Sequence, residues 1–166
     1  MAMSTADKPY NFDEQLEIGA KHEHTLDLYF LRFFEVKAVP MELQKLGLDR
    51  IFTYKGTPKR RLSVEYKADE MAGLTNNAFI ETLSNSSNGK LGWAYTSVAQ
   101  LLVYYVPPMN RAAVINMVTL RDSLHEWTNK YQKRCCKNET YYSEGYLVPL
   151  HEIRKIAMRM LTVPRV

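Results

Sequence analysis

The first long pattern in the chain is an apolar stripe with helical spacing. Residues 13–36 predict a helix, because their apolar side chains recur at the i, i+3, i+4, i+7 and i+8 positions of a core-facing helix. The stripe consists of Leu26, Tyr29, Phe30, Phe33 and Phe34. We therefore expect the aromatic side of this helix to pack against the protein core.

A set of strands is predicted after the helix. Residues 48–54 are strand-like, residues 56–58 supply turn-forming residues, and residues 61–68 form the next strand. A third strand is predicted at residues 78–84, before the polar loop 85–90. The strand at residues 61–68 alternates strictly, so that one face carries Leu62, Val64 and Tyr66 and the other carries Ser63, Glu65 and Lys67.

The second half of the chain continues the mixed pattern of helices and strands. A short helical turn is predicted at residues 97–100, before a buried strand at residues 101–106 that has residues 112–116 beside it. An amphipathic helix, a further strand and a terminal helix are then predicted at residues 120–131, 141–148 and 150–160.

Together these elements predict a single mixed α/β domain over residues 1–166, with residues 1–10 as a flexible tail. The length suffices to bury a continuous core, and 46% apolar with 24% charged residues are ordinary globular values. The polar N-terminus lacks the apolar stretch of a signal peptide, and no run is long enough to span a bilayer. We therefore expect a cytoplasmic protein with no membrane partner.

Charge and cysteine content narrow the choice of partners. The net charge is +4, and positive residues cluster at positions 55–61, 130–137 and 154–165. Such clusters favour a phosphate-rich partner, although a solvated charged face is the alternative. Cys135 and Cys136 are adjacent and lack metal-ligand spacing, so neither a disulfide framework nor a structural zinc site is expected.

The candidate chemistry centres on the strand at residues 61–68. Glu65 and Lys67 lie two residues apart on one face, and a hairpin would bring Asp49, on the preceding strand, near Glu65. Two converging carboxylates form a hard oxygen site suited to Mg²⁺. A lysine beside that ion could orient or deprotonate the attacking water, or steady developing charge. The alternative is a solvated sheet face with a surface ion pair.

A second acidic-x-Lys triplet, Glu35-Val36-Lys37, competes with this assignment. It lies at the end of the predicted N-terminal helix and no hairpin carboxylate precedes it, so it does not meet the structural requirement. Within the same helix, Glu23 falls on the apolar stripe, and a core-facing carboxylate needs a metal, a metal-bound water or a cation. The alternative places Glu23 at the solvent edge of the stripe. His22 and His24 are expected at the surface.

The chain resembles the PD-(D/E)XK nuclease superfamily in three features. These are a glutamate on a helix, an aspartate on a strand, and Glu-x-Lys on the next strand. That superfamily includes restriction and homing endonucleases and Holliday junction resolvases. Residues 64–69 and 75–81 look like the EYKxD and TGN-x-FIE stretches of a phage and cyanobacterial branch, with Asn76 in place of the glycine. The convincing part of the resemblance covers residues 12–106.

The resemblance implies a restriction-endonuclease-like α/β core, with a mixed central sheet flanked by helices in the order αβββαβ. It implies that Asp49, Glu65 and the Tyr66 backbone carbonyl bind Mg²⁺, for which Mn²⁺ would substitute, and that Lys67 acts on the water. Glu23 would bind the ion through water, and Glu81 would support these groups or contact DNA. The residues expected to contact DNA are Lys55, Lys59, Arg60, Arg61, Asn88 and Lys90.

The implied function is a metal-dependent DNA endonuclease that hydrolyses phosphodiester bonds by Mg-assisted water attack. It could be site-specific, as in homing and restriction enzymes, or structure-specific, as in junction resolvases. Cutting both strands needs two active sites, so a homodimer or a dimer of dimers is expected. A non-catalytic DNA-binding module would show a lost carboxylate or lysine, whereas all four are present: Glu23, Asp49, Glu65 and Lys67. A small-phosphoester hydrolase would not need the basic clusters.

Overall fold

The computed structural model describes residues 12–57 and 59–166, with side chains described from Leu16 onward. The predicted tail at residues 1–10 and the turn residue Pro58 lie outside the described residues. In the described part the chain forms two β-sheets with helices packed on them. No helix among these residues is long and apolar enough to cross a membrane.

The helices and strands alternate irregularly along the chain. Their order is α1 Phe12–Phe30, β1 Phe34–Ala38, α2 Met41–Gln44, β2 Arg50–Tyr54, β3 Arg61–Ala68, α3 Ala72–Thr75, β4 Asn77–Asn85, β5 Lys90–Leu91 and α4 Trp93–Thr96. These are followed by β6 Leu101–Val106, a 3₁₀ turn at Pro107–Met109, β7 Arg111–Asn116, α5 Met117–Lys130, β8 Lys133–Lys137, β9 Tyr142–Pro149, α6 Leu150–Ile156 and β10 Arg159–Thr162.

The central sheet is mixed, which confirms the predicted α/β class with a mixed sheet flanked by helices. Its strand order is β1-β2-β3-β6-β7-β10, and every neighbouring pair is antiparallel except β3 with β6. A parallel pair requires a long crossover. Here the crossover contains β4 and β5, which form a separate antiparallel sheet with order β5-β4-β9-β8.

Each face of the central sheet has its own apolar core. Leu26 and Phe30 of α1 pack on Phe52, Val64 and Tyr66 on one face. On the other face, β6, β7, α5 and the second sheet enclose a larger core that includes Ile80, Leu102, Tyr104, Ile115, Leu120 and Trp127. Because β6 is covered on both faces, its residues form a continuous apolar run, as predicted for a buried strand.

The predicted N-terminal helix is too long at its C-terminal end. It ends at Phe30, and residues 34–38 form β1, in which Phe34 lies opposite Tyr54 and Val36 opposite Phe52. Phe33, predicted on the buried stripe, is exposed in the turn between the two elements. The rival triplet Glu35-Val36-Lys37 is therefore in an edge strand. Long-range pairing with β2 outweighs the local helical spacing of these aromatic residues.

Other departures occur where strands depend on backbone pairing rather than on apolar alternation. The predicted strand at residues 78–84 forms as β4, and it belongs to the second sheet. The helical turn expected at residues 97–100 lies earlier, in α4. The terminal helix ends at Ile156 and is followed by β10, an edge strand paired with β7. The exposed strand β8 was not predicted, because Lys-Arg-Cys-Cys-Lys carries no alternating apolar face.

Asp69 connects the two sheets immediately after β3. Its carboxylate accepts hydrogen bonds from the Tyr104 hydroxyl, from the Phe79 N–H at 3.1 Å and from the Ala72 N–H at 2.8 Å. These donors belong to the central sheet, to β4 and to α3. At the end of α3, Asn76 has a φ of 59°, a left-handed conformation that asparagine tolerates in place of the glycine of the resembled branch.

Removing the Tyr104 hydroxyl tests this connection. Tyr104→Phe is expected to lower the free energy of unfolding by about 2 kcal/mol, because a buried hydrogen bond to a carboxylate is lost. The matched control is Tyr95→Phe, at an exposed tyrosine, which should change stability by less than about 0.5 kcal/mol. Urea denaturation measures both values, and equal effects of the two substitutions would contradict the proposed role of Asp69.

Candidate active site

Asp49 lies near Glu65, whose pKa its charge helps to raise. The β2–β3 pairing begins with Arg50 opposite Val64, and Asp49 immediately precedes β2. The Asp49 N–H donates to the Val64 carbonyl at 2.9 Å, and the Tyr66 N–H donates to Asp49 Oδ2 at 2.7 Å. The side chain of Asp49 is thus held by the backbone of the strand that carries Glu65.

Glu65 is a buried carboxylate whose two oxygens have different surroundings. The residue is 1% exposed, and its Oε1 lies 2.8 Å from Lys67 Nζ. Its Oε2 is also buried and has no hydrogen-bond partner among the described residues. The nearby Ser97 hydroxyl donates instead to the Gly47 carbonyl at 2.6 Å. Burial raises the pKa of Glu65, and the positive charge of Lys67 opposes this effect.

The pocket around Glu65 requires a glycine at position 47. Gly47 has a φ of +73°, and a Cβ there would lie 2.9 Å from Ser97 Cα and 3.0 Å from Glu65 Oε2. A larger residue would be strained in this conformation. It would also displace the chain segment that encloses the carboxylate. Gly47 therefore defines the wall on which the unpaired Oε2 rests.

Lys67 is held as an ammonium by the carboxylates around it. Burial disfavours its charge, but Glu65 and, more weakly, Asp49 and Glu81 outweigh burial and raise the pKa of Lys67. The side chain is 35% exposed, and its Nζ lies 5.9 Å from the ring centroid of Trp93. A lysine in this state can donate hydrogen bonds and stabilise negative charge that develops next to it.

Glu81 reaches the same cluster from the second sheet. It lies on β4, and burial raises the pKa of its carboxyl group, while Lys67 and a hydrogen bond from the backbone N–H of Trp93 oppose this effect. The negative charge of Glu81 in turn helps to raise the pKa of Lys67. The two sheets therefore meet at this ion cluster. The residues predicted from the Glu-x-Lys strand and from the following strand are therefore close together.

Glu23 lies in a neighbouring ion-pair network. Arg50 donates through Nη2 to Glu23 Oε2 at 2.9 Å and through Nε to Asp27 Oδ1 at 2.9 Å. The Tyr66 hydroxyl donates to the same oxygen of Asp27 at 3.1 Å. Glu23 thus has a cation as its partner, while its side chain remains 41% exposed. Asp27 and Arg50 are not among the site residues predicted from the sequence, although Asp27 follows Glu23 by one helical turn.

A cleft of about 530 Å³ gives access to Lys67. It lies between α1, the end of β3 and the second sheet. Residues from all three parts line it, among them Glu23, Lys67, Phe79, Trp93, Arg134 and Cys136. Asp49 and Glu65 are not part of the lining, so in this conformation the cleft meets the carboxylate cluster at Lys67.

His22 is buried, contrary to the expectation of a surface residue. Its ring packs edge-on against Tyr105 at 5.8 Å, and its Nε2 lies 2.9 Å from Glu70 Oε1. The reason is helical periodicity, since His22 lies one turn before Leu26 on the stripe that faces the core. His24 is exposed as expected, and Tyr104 and Tyr105 are core residues.

The residues expected to contact DNA lie in two places. Lys55, Lys59 and Arg60 lie in the β2–β3 turn and Arg61 begins β3, at the opposite end of β3 from Lys67. Six residue steps lead from Arg61 to Lys67, or about 20 Å at about 3.3 Å per step. Asn88 and Lys90 are exposed at the turn between β4 and β5. Their contacts with DNA stay predictions.

The donor set for a metal ion is limited. Within residues 12–57 and 59–166, no group of three or more His, Cys, Asp or Glu side chains is arranged to hold one. Asp49 and Glu65 nevertheless fit Mg²⁺, which is commonly bound by one or two carboxylates and otherwise by water. The buried Oε2 of Glu65, which lacks a partner, is an oxygen of the required kind. Ligation by the Tyr66 carbonyl and by Glu23 through water stays a prediction.

The network around Arg50 generates a stability prediction. Asp27→Ala is expected to lower the free energy of unfolding by about 2–3 kcal/mol, because it leaves the buried guanidinium without its main partner. Glu23→Ala should cost less than about 1 kcal/mol, because that carboxylate is exposed to solvent. Thermal and urea denaturation compare the two variants. Equal losses would show that Asp27 is not the dominant partner.

Glu81 generates a pH prediction. Because its folded pKa lies above the ordinary 4.5, the folded protein keeps this proton at pH values where the unfolded chain has lost it. Glu81 therefore makes the free energy of unfolding fall as pH rises from 4.5 towards the folded pKa. Glu81→Gln removes this titration, so its stability relative to wild type should increase over that range. A difference that is constant with pH, measured by urea denaturation, would contradict the burial of Glu81.

Comparison of the chain with known proteins yields no relatives. No family model, no curated protein and no solved structure matches it. The residues and their geometry are therefore the basis for inferring function.

Proposed function

We propose that the protein is a magnesium-dependent DNA endonuclease of the PD-(D/E)XK type. The observation that carries this proposal is the cluster on β3: the Tyr66 N–H holds the Asp49 carboxylate near Glu65, and Lys67 contacts Glu65 on the same strand. The solvated sheet face with a surface ion pair does not account for Glu65, which is almost fully buried.

The order of elements in the central sheet supports a restriction-endonuclease-like core. Helix α1 is followed by the antiparallel strands β1, β2 and β3, then by a crossover that includes α4, and then by β6 parallel to β3. The full order is α1-β1-α2-β2-β3-α3-β4-β5-α4-β6, which contains the pattern αβββαβ only when α2, α3, β4 and β5 are set aside. The first strand of that pattern is then β1 rather than the strand at residues 48–54. The predicted third strand lies in the crossover.

In this proposal Asp49 and Glu65 hold Mg²⁺, or Mn²⁺ in its place, together with the Tyr66 carbonyl and water. The bound ion would lower the pKa of water and stabilise charge on the phosphoryl oxygens and the leaving group. Glu23 would take part through a water molecule, beside its ion pair with Arg50.

Lys67 and its neighbours would position the attacking water and bind the phosphates of the DNA. Lys67 reaches the cleft as an ammonium, from which it orients the attacking water and stabilises negative charge on the phosphate. Glu65 is the main group that keeps this ammonium charged, and Glu81 adds to the effect more weakly from the second sheet. The basic turn at residues 55–61 and the turn that carries Asn88 and Lys90 would bind phosphates away from the cut. Cleavage of both strands would require a homodimer or a dimer of dimers.

The direct test is cleavage of supercoiled plasmid and of a labelled four-way junction in Mg²⁺, Mn²⁺ or EDTA. Wild type is expected to cut in both metals and not in EDTA. Asp49→Ala and Lys67→Ala should each lower the cleavage rate by about 100-fold or more, because a group that stabilises the transition state is lost. The matched control is Lys37→Ala, in the rival triplet on edge strand β1, which should cut at the wild-type rate.

The products also distinguish the possible substrates. Symmetric nicks in the junction would identify a junction resolvase, and one discrete plasmid cut would identify a site-specific endonuclease. Salt-sensitive DNA binding without cleavage of these substrates or of a genomic library would favour the non-catalytic module. Cleavage that survives in both Asp49→Ala and Lys67→Ala would rule out this active site.

A further inference from the structure

A row of three residues crosses the second sheet next to the carboxylate cluster. Glu81 of β4 lies opposite Gly145 of β9, and Gly145 lies opposite Arg134 of β8. Residues directly opposite each other in a sheet share a face, so Glu81 and Arg134 point to the same side. Two strand spacings, about 10 Å, separate their backbones.

This face of the second sheet is one wall of the cleft. Phe79 and Leu147 lie opposite each other on it and both line the cleft, as do Arg134 and Cys136. Between Glu81 and Arg134 the row has no side chain, because position 145 is glycine. The ring of Phe79 occupies the space that a Cβ at Gly145 would take. Lys67, beside Glu81, and Arg134 therefore face the same cleft from adjoining walls.

Arg134 has no carboxylate partner among the described residues. Among the described residues, no Asp or Glu oxygen lies within 4.0 Å of a guanidinium nitrogen of Arg134. The Arg134 side chain is exposed to solvent. Its charge acts on the thiol of Cys136, where burial raises the pKa and Arg134 opposes that rise. Lys133, on the opposite face of β8, differs because it pairs with Glu144 at 2.6 Å.

We propose that Arg134 binds a backbone phosphate of the DNA strand that is cut, so that the second sheet is a substrate-binding wall. This inference rests on the proposed nuclease function and extends it, because the predicted DNA contacts lie elsewhere. An unpaired guanidinium in a cleft is suited to phosphate, which it binds through two parallel hydrogen bonds. Because Lys67 and Arg134 line one cleft, both can contact phosphates of the same bound strand.

The geometry favours nucleic acid over a small phosphoester. A single phosphate at Lys67 leaves Arg134, on another wall of the cleft, without a ligand, whereas a polymer offers a phosphate to each cation. Phe79 and Trp93 line the same cleft and present apolar ring surface to the sugars and bases of a bound strand. The cleft thus has cations at two points and aromatic surface between the walls.

The test is the salt dependence of binding to a fluorescein-labelled 20-mer duplex, measured by anisotropy in EDTA so that no strand is cut. Arg134→Gln should lower the slope of log affinity against log salt by about 0.9, the value for one lost phosphate contact. Between 50 and 200 mM salt, this corresponds to a change of about 3.5-fold in the ratio of affinities. Arg134→Lys, which keeps the charge, should retain most of the slope.

The control for nonspecific attraction is Lys137→Gln. It removes the same charge from the same strand, but position 137 alternates with 134 and so faces away from the cleft. An unchanged slope in Arg134→Gln, or equal changes in Arg134→Gln and Lys137→Gln, would overturn the inference. Because binding is measured without cleavage, a wild type that binds but does not cut overturns the nuclease proposal alone. A wild type that does not bind the duplex overturns both.

Discussion

The structure of the site depends on the burial of one carboxylate, Glu65. A charged group that is removed from water needs partners for both oxygens, and Lys67 supplies only one. The surrounding elements are arranged around this requirement. Gly47 brings the chain close to the second oxygen, and Asp49 is fixed to the backbone beside it. A sheet face with an ordinary surface ion pair would need none of these features.

The crossover between β3 and β6 explains why two sheets meet at this point. Parallel strands cannot be joined by a tight turn, and the connecting segment here builds β4, whose Glu81 comes back to Lys67. Asp69 fixes the start of the crossover, because it accepts hydrogen bonds from both sheets immediately after β3. The same connection thus forms the cleft wall and completes the ion cluster.

The parts of the site that follow from local rules could be predicted from the sequence. Strict alternation placed Glu65 and Lys67 on one face, and a hairpin of ordinary length brought Asp49 to Glu65. The pairing of Arg50 with Glu23 and Asp27 could not be predicted, because it depends on how α1 crosses the sheet. The edge strands β8 and β10 were missed for a related reason, since backbone pairing with distant residues, and not their own pattern, makes them strands.

The cluster around Lys67 contains more acidic groups than basic ones. Asp49, Glu65 and Glu81 are three potential negative charges around one ammonium, so full ionisation leaves an excess of two negative charges beside an apolar core. Burial is the main cause of the raised pKa values of Glu65 and Glu81, and the neighbouring carboxylates add to it, so protonation is one way to relieve the excess. A divalent cation held by Asp49 and Glu65 would relieve it without protons and would still leave Lys67 charged.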